Sequence, residues 1–175
     1  DLNAFHSDDT RENINKTLRG NSVAFINGVL HEHTICGKES CSEEGHDAEL
    51  WKGISQLSEI TSAGKYYLTE SVELTKTWEC KWDVDLCLNG KTITGADKAA
   101  VITVASNQSL NITDCRETGT ICHAAEATGG SGIDVQGTLT LWNGAITGNP
   151  EEGVQVTGTF YMNGGSITGN AKGGV

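Results

Sequence analysis

The sequence predicts an all-β chain, a right-handed parallel β-helix (solenoid) of about four coils with a short N-terminal capping helix. Three observations predict it: a 21-residue repeat, short apolar runs that alternate with period two, and glycine at fixed places between the runs. Residues 132–149 align with residues 153–170 without a gap, and Gly174-Val175 opens a third copy at the same spacing. Each copy carries three runs: Ile133/Val135, Leu139/Leu141 and Ile146 in the first, Val154/Val156, Phe160/Met162 and Ile167 in the second. Alternation puts one face inward and one outward. Three such runs per 21 residues make one coil, and stacked coils lie about 4.8 Å apart. Right-handedness follows from the general preference of parallel crossovers. Gly137/Gly158 and Gly148/Gly169 are expected to supply the backbone angles of the corners, and Asn149 over Asn170 suggests an asparagine ladder.

Looser coils precede these. Tyr66-Tyr67-Leu68, Val72/Leu74, Leu86/Leu88 and Ile93 read as a first coil, and Ile102/Val104, Leu110/Ile112 and Ile121 as a second, with longer loops at Trp78 to Asp85 and Arg116 to Gly119. In front of the coils, Leu50, Trp51, Ile54 and Leu57 fall at helical spacing, with Asp47 as N-cap and Gly64 beyond the end. A solenoid core needs a plug, so residues 47–64 are expected to form a capping helix, or a helix packed on the side of the stack. The domain reading is 1–46 as an extension with a His/Cys-rich segment, 47–64 as the helix and 65–175 as the β-helix.

Composition bounds the function. Apolar residues make up 37% of 175, which is too apolar for a disordered chain, and 22 glycines with one proline, Pro150, are too many for a helical one. The formal charge of −11 argues against nucleic acid and anionic membranes as partners. No apolar run reaches the length of a membrane span. The chain starts at Asp1 without a signal peptide and reads as a processed or excised segment. Six cysteines, Cys36, Cys41, Cys80, Cys87, Cys115 and Cys122, favour at least two disulfides and an extracellular or cell-surface location. Sequons at Asn15, Asn107 and Asn111 say little, since such triplets are common by chance.

The run Cys87-Leu-Asn-Gly-Lys-Thr-Ile-Thr-Gly95, the preceding Tyr66-Tyr67-Leu68-Thr and the repeated Gly-x-Ile-Thr-Gly-Asn resemble right-handed β-helix segments of large surface proteins of Gram-positive gut and rumen bacteria, broadly of the pectate-lyase-like superfold. His31-Glu-His33-Thr-Ile-Cys36-Gly is similar to the lead-in segment of such proteins. The resemblance covers residues 31–175 and implies the fold. It leaves function open, because the superfold hosts lyases, hydrolases, adhesins and passive stalks.

Lyases of that superfold hold calcium on carboxylates and use a basic residue; hydrolases pair aspartates. Here Asp134, Glu151 and Glu152 have no aligned Lys or Arg, so they read as solvated surface and no catalytic residue is assigned. Asn89-Gly-Lys-Thr92 lacks the first glycine of a phosphate loop and is set aside. His31, His33, Cys36, Cys41 and His46 form the one metal-like cluster, with imidazole and thiolate suited to structural zinc. A local Cys36–Cys41 disulfide with exposed histidines, or free thiols, are the other readings; no other cofactor is implied. Trp142 and Tyr161 are expected to point outward on adjacent coils, either as a stacking platform for a polysaccharide or as a face covered by other segments. Ser22-Val23-Ala-Phe25-Ile26 reads as a strand. Val23 and Phe25, with Gly174 and Val175 at the other end, suggest head-to-tail addition of one copy to the next and a filament. The functional expectation is an extracellular structural module that assembles or displays. A glycan-binding adhesin, or a non-catalytic fragment of a lyase-like protein, is the alternative.

Overall fold

A computed structural model describes residues 31–175; the expected assembly positions Val23 and Phe25 lie outside the described residues. The chain winds into a parallel β-solenoid of about four coils, built from three parallel sheets. The first sheet contains β3 (Lys52–Ile54), β4 (Gly64–Leu68), β7 (Val84–Cys87), β10 (Ser109–Thr113), β13 (Thr138–Leu141) and β16 (Thr159–Met162). The second contains β5 (Val72–Glu73), β8 (Thr92–Gly95), β11 (Thr120–His123), β14 (Ala145–Thr147) and β17 (Ser166–Thr168). The third contains β6 (Trp78–Cys80), β9 (Ile102–Val104), β12 (Ile133–Val135) and β15 (Val154–Val156). A short antiparallel pair, β1 (Glu32–His33) with β2 (Glu49–Leu50), precedes them.

Register stacks like on like. Leu86, Ile112 and Leu141 form one inward column, Val72, Ile93, Ile121 and Ile146 a second, and Ile102, Ile133 and Val154 a third, all buried. Each such side chain contributes about 1.5–3 kcal/mol on burial, and the columns extend residue by residue along the stack.

The first expected coil is in fact parts of two. Trp78–Cys80, expected within a loop, is strand β6, so the strands around Tyr66 and Leu86 belong to successive coils. The polar flanks Glu79 and Lys81 mask an alternation in which only Cys80 and, in part, Trp78 face the core.

The expected helix over 47–64 is absent. The segment forms β2, β3 and a single 3-10 turn, Leu57–Glu59. Ile54, Leu57 and Ile60 still reach the core at that end of the stack, because a spacing of three residues serves a strand followed by a turn as well as a helix. Pairing of β3 with β4 satisfies the backbone that a helix would have satisfied internally. Glu59 Oε1 accepts from Ser55 N (2.8 Å), Ser55 Oγ (2.8 Å) and Gln56 N (2.9 Å), which fixes the turn and holds the carboxyl below its ordinary range.

The glycine corners divide. Gly148 and Gly169 adopt φ of 65° and 66°, as expected. Gly137 and Gly158 are not left-handed; they are required by close approach. A Cβ at Gly158 would lie 2.1 Å from the Gly137 carbonyl oxygen, and one at Gly137 would lie 2.3 Å from that of Gln108. The asparagine ladder is present. Asn149 Nδ2 donates to Asn170 Oδ1 (2.8 Å), Asn170 Nδ2 to the Ile146 carbonyl (3.1 Å), and His123 Nδ1 meets Asn149 Oδ1 at 2.8 Å.

Candidate metal centres

The outward face of the first sheet is not uniformly polar. Beside the inward positions of β4, β7 and β10 lie Tyr67, Cys87 and Thr113, in register and buried. What buries them is the segment 31–51, which lies across this face. Trp51 sits with Tyr67 and Cys87 in a small second core, with Ile35 and Cys115 packed against it. Lys65 ties the segment down from the neighbouring outward column, with Nζ 2.6 Å from Asp85 Oδ2 and 3.7 Å from Glu49 Oε1.

Four soft donors converge under this segment. The ligand atoms of His31, His33, Cys87 and Cys115 lie within 4.8 Å of one another. Cys87 Sγ and Cys115 Sγ are 3.5 Å apart, and His31 Nε2 is 3.7 Å from Cys115 Sγ. Tetrahedral zinc with these donors has ligand–ligand edges of about 3.3–3.8 Å, so two edges are already at length. His33 Nδ1 lies 2.7 Å from the Thr34 carbonyl, which can only accept, so that nitrogen carries the proton. Its Nε2 is then a bare lone pair, and it is buried without a hydrogen-bond partner. An imidazole whose other nitrogen donates to a backbone carbonyl is the usual arrangement of a metal ligand.

The rings are held by stacking and by a hydrogen bond. His31 stacks on Tyr67 at 3.8 Å and His33 on Trp51 at 4.3 Å, while Trp51 Nε1 donates to the His33 carbonyl at 3.0 Å. Cys115 is placed by its neighbour Asp114, a buried carboxylate that accepts from the backbone N–H of Gly90 (2.7 Å), Arg116 (3.2 Å) and Gly119. The Cys87 thiol donates to Cys115 and lowers its pKa, against the opposing effect of burial and with help from His31. Cys87 is pushed up in turn, as the donor of that bond and by burial.

A second cluster lies beside the first. The ligand atoms of Cys36, Cys41 and His46 also fall within 4.8 Å of one another, and Cys41 Sγ is 3.4 Å from His46 Nδ1. Burial pushes the Cys36 thiol up, but hydrogen bonds with Thr34 Oγ1 (3.2 Å), the Lys38 backbone, His46 and Cys41 more than offset it and bring it down to about 7. Glu43 Oε2 stands 3.5 Å from His46 Nδ1, with its side chain 71% exposed. The loop owes its shape to Gly37, at φ 84°, whose missing Cβ lets it seat on Thr113 and Asp114.

The five residues expected as one cluster are therefore divided between two. Cys87 and Cys115 join His31 and His33, although nothing in their local sequence marks them as ligands. The one signal was a cysteine at Cys87 where alternation calls for a polar outward residue. The disulfides expected from the even cysteine count are not formed. All six cysteines are free, and Cys80 is a core residue whose thiol donates to the Trp82 carbonyl and is raised by burial to about 11. With free thiols, the cysteine count ceases to point to an oxidising compartment.

Of the expected glycan platform, Trp142 lies against His46, ring edge to face at 4.9 Å, while Tyr161 is exposed on β16 opposite Thr140. The two rings are not register partners. Asp134 bonds to Ser131, and Glu151, expected to lack an aligned basic residue, pairs at 2.6 Å with Lys172 one repeat further on. Gly174 accepts from Val154 N at 2.8 Å, and Val175 is exposed. No helix among the described residues is long and apolar enough to cross a membrane. No protein-family model, curated protein or solved structure matches this chain.

Proposed function

We propose that this chain is a structural β-solenoid module, of the kind found in large bacterial surface proteins, whose lead-in segment is stapled to the coil flank by zinc on His31, His33, Cys87 and Cys115. The observation that carries the reading is the buried, unpartnered Nε2 of His33 beside the hydrogen-bonded sulfurs of Cys87 and Cys115 in an aromatic shell. Four protein donors fill zinc's coordination and leave no position for a substrate, which is the mark of a structural site. An ion bound only by the folded state stabilises it, by about 2.7 kcal/mol at a free concentration one hundred times Kd.

The test is metal content and thermal unfolding of the chain produced with zinc. Bound zinc and a midpoint several degrees lower after chelation support the proposal. A metal-free chain with an unchanged midpoint rejects it.

Self-association is a second reading, favoured by one observation. Val156 and Met162 are 37% and 49% exposed, whereas their register partners Val135 and Leu141 are buried. A further coil stacked on β15–β17, continuing the solenoid or supplied by a second copy, would cover them. Electron microscopy of the purified chain tests this, with strictly isolated particles at high concentration counting against it.

A further inference from the structure

We infer that Cys36, Cys41 and His46 form a second metal centre with one coordination position open, and that this position takes a small exchangeable carboxylate from the adjoining cavity. The inference goes beyond the structural staple and rests on different residues.

The two clusters differ in what surrounds them. The first has four protein donors closed over by Tyr67 and Trp51. The second has three donors of the same soft type, and its remaining side faces a cavity of about 550 Å³ lined by Lys38, Glu43, Trp142, Asn143 and Asn163. Three protein ligands with a vacant fourth position is the zinc arrangement that exchanges water for another ligand. A disordered loop could not hold such a geometry, but this one is fixed at both ends. Thr34 N and Oγ1 both donate to the Lys38 carbonyl at 2.9 Å, and the His46 ring rests on Trp142.

The cavity wall sets the ligand class. The ammonium of Lys38 and the amide of Asn163 offer N–H donors, which suit a carboxylate that gives one oxygen to the metal and one to the wall. Glu43 is the competitor. Its exposed carboxylate is near enough to His46 to swing onto the metal, and the site is open only if it does not.

The experiment uses the full chain loaded with cobalt(II), whose thiolate charge-transfer and visible bands report ligation, and acetate as the probe. Two cobalt ions per chain are expected. Cys36→Ser and His46→Ala should each lose one ion and keep the spectrum of the first centre. Acetate should shift the visible bands of the unmodified chain and leave those of Cys36→Ser unchanged. One ion per chain, retained in Cys36→Ser, overturns the second centre while sparing the staple. Two ions with acetate sensitivity only in Glu43→Gln overturn the open position, because Glu43 then closes it. Two ions whose bands acetate never shifts overturn the carboxylate assignment. Loss of cobalt in Cys115→Ser limited to one ion, with the acetate response kept, identifies the responding centre as the second.

Discussion

At the residue scale, His33 carries the most information. Its Nδ1 is committed to the Thr34 carbonyl, its ring lies on Trp51, and its Nε2 is buried with no partner. Leaving a buried acceptor unsatisfied costs about 1–3 kcal/mol, and a bound cation removes that cost. His33→Ala should therefore lower zinc affinity by more than about 100-fold, beyond what loss of a supporting residue does. Trp51→Phe keeps the stacked ring and removes the donor to the His33 carbonyl. It should weaken zinc by about 10-fold, at the lower end for loss of an orienting bond. Competition with a chromophoric chelator measures both. Equal affinities for the two variants would show that ring orientation, and not ligation, governs the site.

At the scale of the element, two kinds of glycine corner give a quantitative contrast. Gly148→Ala has room, with only Cys122 Cβ at 3.9 Å, and meets only the left-handed φ, which costs about 1–2 kcal/mol. Gly158→Ala must push its Cβ away from a carbonyl oxygen of the neighbouring coil, where overpacking adds about 1–3 kcal/mol or more through backbone displacement. Urea unfolding should rank Gly158→Ala as the more damaging; the reverse order would mean that coil spacing yields more easily than φ. The 3-10 turn that takes the place of the expected helix has its own signature. Glu59 titrates below its ordinary value of 4.5 because Ser55 and Gln56 hydrogen-bond its ionised form. Its folded pKa is depressed, so its contribution is complete above that ordinary value and is lost as pH falls through the lower folded one. Glu59→Gln should flatten the stability profile below about pH 4.5 and leave the slope above it unchanged.

At the scale of the whole molecule, a solenoid is held by neighbour-to-neighbour contacts, so stability varies along the stack. The coils of β7–β14 have neighbours on both sides and buried columns, whereas β15–β17 carry exposed Val156, Tyr161 and Met162. Hydrogen exchange should be slowest in β7, β10 and β13 and fastest in β15–β17. With zinc present, protection should extend to residues 31–51, which otherwise hold to the coils by the Trp51 packing, the ring contacts of His31 and His46 and the Lys65 contact with Glu49. Uniform exchange along the chain would contradict a coil-by-coil architecture.

The sequence by itself determined the solenoid. Inward columns such as Leu139/Phe160 and Ile146/Ile167 repeat at the 21-residue period, and a core made of neighbouring coils is written locally. It determined the asparagine ladder for the same reason. It misread residues 47–64, since spacings of three and four residues do not separate a helix from a strand leading into a turn. Only the tertiary structure decided which histidines meet which cysteines. His31 reaches Cys115 across 84 residues of chain, through a segment that crosses the coils instead of joining them. No repeat period encodes that crossing. It is set by the burial of Trp51 against Tyr67 and Cys87, which becomes visible only when the outward face of one sheet and the lead-in segment are brought together.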